Sequence, residues 1–377
     1  MRTSSLWLVA AASLVLSPTT HAQGTLSTLG FGYPSGQLST RSLGAGGATG
    51  EIDPLSVSNP ASIAYFGGSV LYFQAEPEYR TLHVANATEN TSIARYPLVV
   101  ASIPVSDNLM LGLSFSNLLD RSFETSNRGL QKVGDSTLAT TNTFKSDGAI
   151  GDVRVALAWT ATPWLRLGVS AHAISGDNRV KNTQVFDDSI QFARLTDTAT
   201  VGYTGNAYTG GFEVLLRDFS FAGSYRKGGP LSLKRADTTV SNAHVPDRVA
   251  FSAAFLGIRG TAIAFRTARD SWSNMAGLGS PTLRITDAWD TSIGADVMGP
   301  RFGDRNLQFR TGARWRTLPF GLATTSITEK SYSLGLGTML ARGRASFDVA
   351  GIRATRDAGP DLSESSTTLS IGITVRP

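Results

Sequence analysis

Charged side chains occupy alternate positions in several stretches of the chain, on the side that also carries glycine, serine and alanine. In GDVRVALAWTA, for example, Asp152 and Arg154 alternate with valines. A buried charge is costly unless it is paired, so these residues predict cross-strand ion pairs. The predicted charge network contains Asp152, Arg154, Arg166, Asp296, Arg310, Arg314 and Asp348, together with Glu213 and Asp290. Structural pairing is one role for it, and binding of a ligand carboxylate by Arg310 and Arg314 is the alternative.

Ser170 and His172 lie two residues apart on the same polar face, and a serine beside a histidine is part of a nucleophilic site. A hydrolase also requires a third group that orients the histidine, and the sequence does not identify one. The other histidines of the exported chain, His83 and His244, lie at no metal-ligand spacing. We therefore interpret His172 as part of a hydrogen-bonded network, and we predict no enzyme, no metal site and no cofactor.

Composition excludes several further classes of protein. The 377 residues contain no cysteine, which excludes disulfide frameworks, haem attachment and thiolate metal sites. The net charge of +5 is spread along the chain instead of clustered, so no nucleic-acid surface is predicted. The close glycines of LGAGGATG do not open a helix within a βαβ unit, so they are not a dinucleotide-binding motif.

Strict alternation of apolar and polar residues predicts β-strands whose two faces meet different environments. The stretches GDVRVALAWTA and WLRLGVSAHAI both alternate, and the turn at Thr162-Pro163 joins them into a hairpin. Counting such stretches predicts about fourteen strands. They lie near residues 68–82, 91–105, 108–124, 147–161, 164–180, 198–217, 218–234, 246–257, 258–272, 284–298, 305–318, 329–341, 342–356 and 364–377.

Strand lengths and connections favour an all-β transmembrane antiparallel barrel over a soluble β-sandwich. Many strands approach the ~10 residues that a tilted strand needs to cross a bilayer. Short connections such as Ser106-Asp107 alternate with long ones such as 125–146 and 273–283, as at the two ends of an outer-membrane barrel. Alternation alone also fits a soluble β-protein, which is the alternative fold class.

The first residues have the features of a secretory signal peptide. A positive charge near the start precedes an apolar run from Leu6 to Leu16, and a small-x-small sequence precedes Gln23. A membrane anchor would need ~20 apolar residues, about twice the length of this run. The predicted organisation is a signal peptide at 1–22, an N-terminal plug at 23–67 and a barrel at 68–377.

The stretch TRSLGAGGATGEIDPLSVSNPASIAYFGG, residues 40–68, shows no alternation. Its small residues permit close packing, so we expect it to pack inside the barrel. It resembles the N-terminal hatch of the FadL-type outer-membrane transporters of hydrophobic compounds. The matching residues are Asn59, Pro60 and Ala61 of the Asn-Pro-Ala triplet, with Gly46, Gly47 and Asp53 before it. Two later blocks, starting at VPDRVAF and ITEKSYS, are similar to late strands of the same family.

This resemblance implies a barrel of fourteen strands, closed by the hatch, in the outer membrane of a Gram-negative bacterium. It implies passive uptake of small hydrophobic molecules, either aromatic or similar to long-chain fatty acids, which leave sideways through a gap in the wall. A monomer is expected to contact membrane lipid, its ligand and, during biogenesis, the barrel assembly machinery. The predicted pocket between hatch and wall is lined by residues such as Phe31, Tyr33, Leu43 and Phe66.

The end of the chain departs from the family, and an alternative function stays open. The last residues are Arg376-Pro377, whereas outer-membrane barrels usually end in an aromatic residue. Divergent relatives of the family include secretion-system shuttles, so a structural or partner-binding barrel is the second hypothesis. It predicts a filled lumen and extended outer loops, whereas a transporter predicts an apolar pocket beside the hatch.

Overall fold

The computed structural model describes residues 20–23, 25–84, 87–133, 136–187, 192–236, 238–278, 283–302, 305–322, 325–359 and 362–377. Residues 1–19 of the predicted signal peptide lie outside these described residues. The strands are β1 (Thr20–Gln23), β2 (Val70–Val84), β3 (Ala87–Ser106), β4 (Leu109–Asp120), β5 (Phe123–Val133), β6 (Ser136–Thr162), β7 (Leu165–Phe186), β8 (Leu195–Leu216), β9 (Phe219–Arg235), β10 (Thr238–His244), β11 (Arg248–Ile258), β12 (Thr261–Asp270), β13 (Arg284–Ile285), β14 (Ala288–Phe302), β15 (Arg305–Leu322), β16 (Thr325–Leu340), β17 (Ala345–Asp357) and β18 (Leu362–Val375).

Within the described residues, helical structure is limited to short pieces that are not part of the wall. These are the α-helices α1 (Thr25–Thr28) and α2 (Thr40–Gly44), and 3₁₀ helices over Pro60–Tyr65, Trp272–Leu278 and Ala341–Gly343. No helix among the described residues is both long enough and apolar enough to cross a membrane.

Fourteen of the strands in the described residues form a closed antiparallel wall, which confirms the predicted fold class. Each wall strand pairs with its neighbour along the chain, and β18 pairs with β2 to close the cylinder. The other four, β1, β5, β10 and β13, pair with the ends of wall strands. Every predicted segment matches one wall strand, with ends displaced by a few residues except in the longest strands.

The two faces of the wall differ as the alternation predicts. In β6, Asp152 and Arg154 are buried, whereas Val155 and Trp159 are 51% and 50% exposed. Large apolar side chains therefore point away from the cylinder and charged or small ones point into its bore. An outward apolar face on a closed wall is suited to lipid contact.

The two ends of the cylinder have different connections. One end, here called the turn end, carries two-residue connections at 107–108, 163–164, 217–218 and 259–260. The opposite end, here called the loop end, carries β5, β10, β13 and the 3₁₀ helix Trp272–Leu278. The stretch 125–146, which the sequence indicated as a long connection, instead forms most of the hairpin between β5 and β6.

Candidate functional site

The described residues between β1 and β2, here called the N-terminal segment (residues 25–66), contact the inward face of the wall. The Thr40 hydroxyl lies 2.8 Å from that of Ser370 in β18. The Gly46 N–H donates to Ser333 of β16 at 2.9 Å. Because both wall residues are buried on the inward face, the segment lies within the bore.

Asn59, Pro60 and Ala61 form the start of a 3₁₀ helix close to the turn end. The Asn59 side chain accepts from the Ala61 N–H at 3.0 Å, as an N-terminal cap does. Its amide also donates to the carbonyls of Glu51 and Phe212, at 2.9 and 3.0 Å. Pro60 occupies the first helical position, where its missing N–H has no cost. The triplet therefore joins the segment to β8.

Gly46, Gly47 and Asp53 determine the course of the chain between α2 and this triplet. Gly46 and Gly47 have φ angles of +68° and +86°, which glycine adopts without strain. The Asp53 carboxylate accepts from the hydroxyls of Ser39 and Ser56. Ser39 in turn caps α2, accepting from the Ser42 N–H at 3.1 Å.

Glycines of the wall lie directly against the N-terminal segment at four closely packed positions. A Cβ atom at Gly168 or Gly211 would overlap the Asn59-Pro60-Ala61 stretch, and one at Gly294 or Gly312 would overlap Ala45. At these positions the segment and the wall are in contact without space for a further side chain.

Glu51 is the charged residue through which the segment joins β11 and β12. Its carboxylate accepts from Arg248 at 3.0 Å, from Arg266 at 3.3 Å and from Ser224 at 2.7 Å. Burial acts to raise the pKa of Glu51, but Arg248 and Arg266 outweigh it and the pKa is lowered from its ordinary value. Glu51 is therefore an anion shared by two arginines.

Tyr33 lies in a cage of arginines toward the loop end. Four guanidinium groups lie 4.7 to 5.5 Å from its ring centre, those of Arg80, Arg95, Arg316 and Arg356. The Tyr33 hydroxyl donates to Glu329 at 3.1 Å. The arginines are balanced by the carboxylates of Glu78, Asp120, Glu329 and Glu364. Burial raises the pKa of Tyr33, so the caged phenol stays neutral.

An apolar cluster fills the bore at the loop end. Leu26 and Phe31 of the N-terminal segment pack into it among inward residues from strands around the wall. The Phe31 ring lies 6.2 Å from Trp272 and 6.3 Å from Phe320, both edge-on. This region would be a chamber lined by apolar side chains if residues 25–31 withdrew.

A cavity of about 150 Å³ lies between the apolar cluster and α2. Tyr33 and Leu43 line this cavity, here called the charged cavity, together with seven arginines and five carboxylates. Phe31 lies in the apolar cluster, and Phe66 packs near the turn end against residues such as Val70 and Met110. The structure does not bring the four predicted ligand-lining residues into one pocket.

The wall has a break between β3 and β4. Residues Leu98 to Ser106 of β3 pair with β4. Within the described residues, residues 87–97 of β3 do not pair with β4. At the break, the backbone of Tyr33 pairs with Asp120 instead, and Gly36 passes between Pro97 and Asn117. A second cavity, of about 200 Å³, opens beyond it between 91–93 and 122–124.

The predicted charge network divides into separate clusters. Arg310 lies between Asp296 and Asp348, at 3.0 and 2.6 Å. Arg314 donates twice to Asp290, at 2.7 and 2.8 Å, and only Arg314 and Asp290 of these residues line the charged cavity.

Arg166 lies apart from the other charges, at the turn end. Its guanidinium lies 3.7 Å from the ring centre of Tyr65 and 4.0 Å from the Glu213 carboxylate. This contact joins the last turn of the 3₁₀ helix to β7 and β8.

His172 belongs to a buried network that has the connectivity of a Ser–His–Asp triad. Its Nδ1 lies 3.0 Å from Asp152, which is also paired with Arg154. Its Nε2 faces two hydroxyls, Ser170 at 3.1 Å and Thr209 at 2.8 Å. All of these side chains are buried and none lines either cavity, so the arrangement serves hydrogen bonding in the wall.

Sequence reasoning missed most of the residues around Tyr33 and Glu51. They include Arg80, Arg95, Arg226, Arg248, Arg266, Arg316, Arg356, Glu78 and Glu329. Alternation does put several of them on the polar face, but it carries no information on which strands meet across the bore.

Solved structures share the whole architecture. A Pseudomonas aeruginosa FadL homologue superimposes with a TM-score of 0.66 at 12% identity, over 92% of this chain and 99% of its own. The Pseudomonas putida toluene transporter TodX gives 0.56 at 12% identity, over 93% and 98%. The fold is FadL-type. No protein-family model matches the chain, and no curated protein matches it in sequence.

The FadL-type fold accounts for the number of wall strands and for the extra segment ahead of them. A wall of paired strands with an apolar outer face is the architecture of a barrel that crosses a bilayer. Within the described residues, no group of three His, Asp or Glu residues is placed to hold a metal ion.

Proposed function

We propose that the chain is a channel for passive uptake of small hydrophobic molecules, with the N-terminal segment as its hatch. The observation that carries the proposal is the break between β3 and β4, through which residues 33–36 pass. A closed barrel otherwise pairs all its strands, so an unpaired stretch beside a cavity provides a route from the bore toward lipid.

The apolar cluster supplies the entrance in this proposal. A hydrophobic ligand at the loop end replaces Leu26 and Phe31, which now fill that space. It then moves past Tyr33 to the break and leaves sideways. The tightly packed turn end is not part of the route.

A single-cysteine experiment tests the route, since the chain has no cysteine of its own. Thr91→Cys places a thiol in the cavity at the break, and a bulky thiol reagent on it is expected to reduce toluene uptake by cells several-fold. Thr367→Cys, exposed on the outer face of β18, is the matched control. Equal uptake by both labelled variants would exclude the lateral route, and no uptake above empty cells would exclude the channel.

The proposal includes the predicted division of the chain into signal peptide, hatch and barrel. Cleavage before Gln23 removes most of β1, and residues 23–67 then form the hatch of a monomeric barrel inserted by the barrel assembly machinery. Mass measurement of the purified protein tests the cleavage site.

Partner binding is the second candidate function. Strands β6, β7 and β8 have 27, 22 and 22 residues, well beyond the ~10 that cross a bilayer. Their loop ends form a sheet that projects from the membrane. Specific cross-linking of this sheet to another protein on intact cells, without toluene uptake, would favour this function over the channel.

A further inference from the structure

The charged cavity has twelve charged residues in its lining, and this sets it apart from the apolar cluster above it. Any ligand there lies against the charged side chains of the lining. A purely apolar molecule would leave those groups buried without partners, which is costly. The occupant therefore carries hydrogen-bonding atoms of its own.

The cavity offers spare donors. Arg226, Arg266 and Arg314 line it, and each uses two of its three nitrogens in the hydrogen bonds of the described residues. One terminal amino group on each remains available. The carboxylate partners have fewer free acceptor atoms, because Asp290 already accepts hydrogen bonds with both of its oxygens.

A donor-rich site with more arginines than carboxylates in its lining selects an anion. Guanidinium groups bind carboxylates through paired, charge-assisted hydrogen bonds. A neutral phenol or amide would use fewer of the available donors. The observations therefore favour a carboxylate headgroup.

The size and walls of the cavity restrict the rest of the ligand. A volume of about 150 Å³ is of the size that holds a single benzene ring. Tyr33 and Trp272 supply aromatic walls, and Leu43 adds an apolar one. A long alkyl chain does not fit this volume.

We propose that this cavity binds an aromatic carboxylate with one ring, of the size of benzoate. The inference rests on the proposed channel function and names a substrate class for it. Arg226, Arg266 and Arg314 bind the carboxylate, and Tyr33 and Trp272 contact the ring.

Binding of benzoate to the purified protein in detergent, measured by equilibrium dialysis, tests the proposal. Benzamide, with the same shape but no charge, is expected to bind about tenfold more weakly, which corresponds to the loss of one charge-assisted hydrogen bond. Arg314→Gln and Arg226→Gln are expected to weaken benzoate binding by about tenfold each. Arg41→Gln removes the same charge from an exposed residue that pairs with Asp296 away from the cavity, and it is expected to bind benzoate normally.

Folding is checked by heat-modifiable migration of each variant on a gel. Arg314→Lys, which keeps the charge but lacks the planar fork, is the second variant should Arg314→Gln fail to fold. Equal binding of benzoate and benzamide, or normal benzoate binding by the folded arginine variants, overturns the proposal. Toluene uptake without benzoate binding also overturns the benzoate proposal, but it leaves the channel function intact. Absence of uptake through the break removes both the benzoate proposal and the channel function.

Discussion

The two halves of the N-terminal segment are held in the bore by different kinds of contact. Toward the turn end, the backbone of residues 44–46 and 60–61 lies against wall glycines with no space for a Cβ. Toward the loop end, residues 25–38 are held mainly by side chains, in the apolar cluster and the arginine cage, together with the backbone pairing of Tyr33 with Asp120 beside a cavity. Side chains can leave a site one at a time, whereas close backbone contacts must separate together. Under the proposed channel function, we therefore expect opening to begin at the loop end.

The largest effect is expected at Glu51, which lies between the two halves. Glu51→Gln leaves Arg248 and Arg266 without their shared anion, and breaking a buried ion pair costs about 3 kcal/mol. Urea unfolding in detergent measures the loss. Glu124→Gln, which alters an exposed pair with Lys145 at 3.7 Å, is the matched control and should change stability by less than ~0.5 kcal/mol. Equal effects of the two variants would show that Glu51 does not hold the halves together.

The pKa of Glu51 gives the same contact a defined pH dependence. Because that pKa is lowered in the folded protein from 4.5, the contribution of Glu51 is fully present above the ordinary value. It is lost as the pH falls through the lowered pKa. The protection factors of residues 44–66 against hydrogen exchange, which correct for the intrinsic pH dependence of the chemistry, should therefore be constant from neutral pH down to about 5 and fall only in stronger acid. An onset near pH 6 would contradict this assignment.

At the turn end, a single added side chain should disturb the docking. Gly168→Val forces a side chain into the Pro60-Ala61 backbone, and overpacking of this kind costs about 2 kcal/mol. Hydrogen exchange should increase across 59–66. Gly351→Val, at a position with no atom within 4 Å of the added Cβ, is the control. A tolerated Gly168→Val would mean that the turn end is as adaptable as the loop end.

At the loop end, Tyr33→Phe should have a smaller and local effect. It removes the hydroxyl contacts with Glu329 and Arg356 but keeps the ring among the arginines, at a cost of about 1 kcal/mol. Faster exchange is expected in residues 25–38 and not in 44–66. Equal acceleration of both stretches would show that the segment moves as one unit.

The smallest effect is expected at Arg41, in the middle of the segment. Its side chain is 44% exposed and lies 3.3 Å from Asp296, so Arg41→Gln should change stability by less than ~0.5 kcal/mol. Urea unfolding of Arg41→Gln and of Glu51→Gln under the same conditions compares the two losses of stability. A loss as large as that at Glu51 would contradict the distinction between exposed and buried pairs.

Alternation predicted the wall because its strands separate lipid from a polar bore. It did not predict the hairpin of β5 with the start of β6, because the β5 sequence TSNRGLQKV has mainly polar residues at both sets of alternate positions. The Asn-Pro-Ala triplet and glycines of the N-terminal segment indicated close packing, and residues 44–61 have it.

The site itself was less accessible to sequence reasoning. The arginines around Tyr33 come from four strands, and Tyr33 lies 323 residues before Arg356. Pairings at such separations follow from barrel closure and not from any local pattern. The apolar residues Phe31 and Phe66 suggested one pocket, but the segment carries them to opposite ends of the bore.

The pairing of β18 with β2 has a consequence for biogenesis. Thr40 meets Ser370, 330 residues later in the chain, so that contact forms only when the final strand arrives. Until then the cylinder has an open seam, and afterwards the interior is enclosed. The N-terminal segment must therefore already lie beside the sheet when β18 pairs with β2, and the step that seals the seam also encloses it.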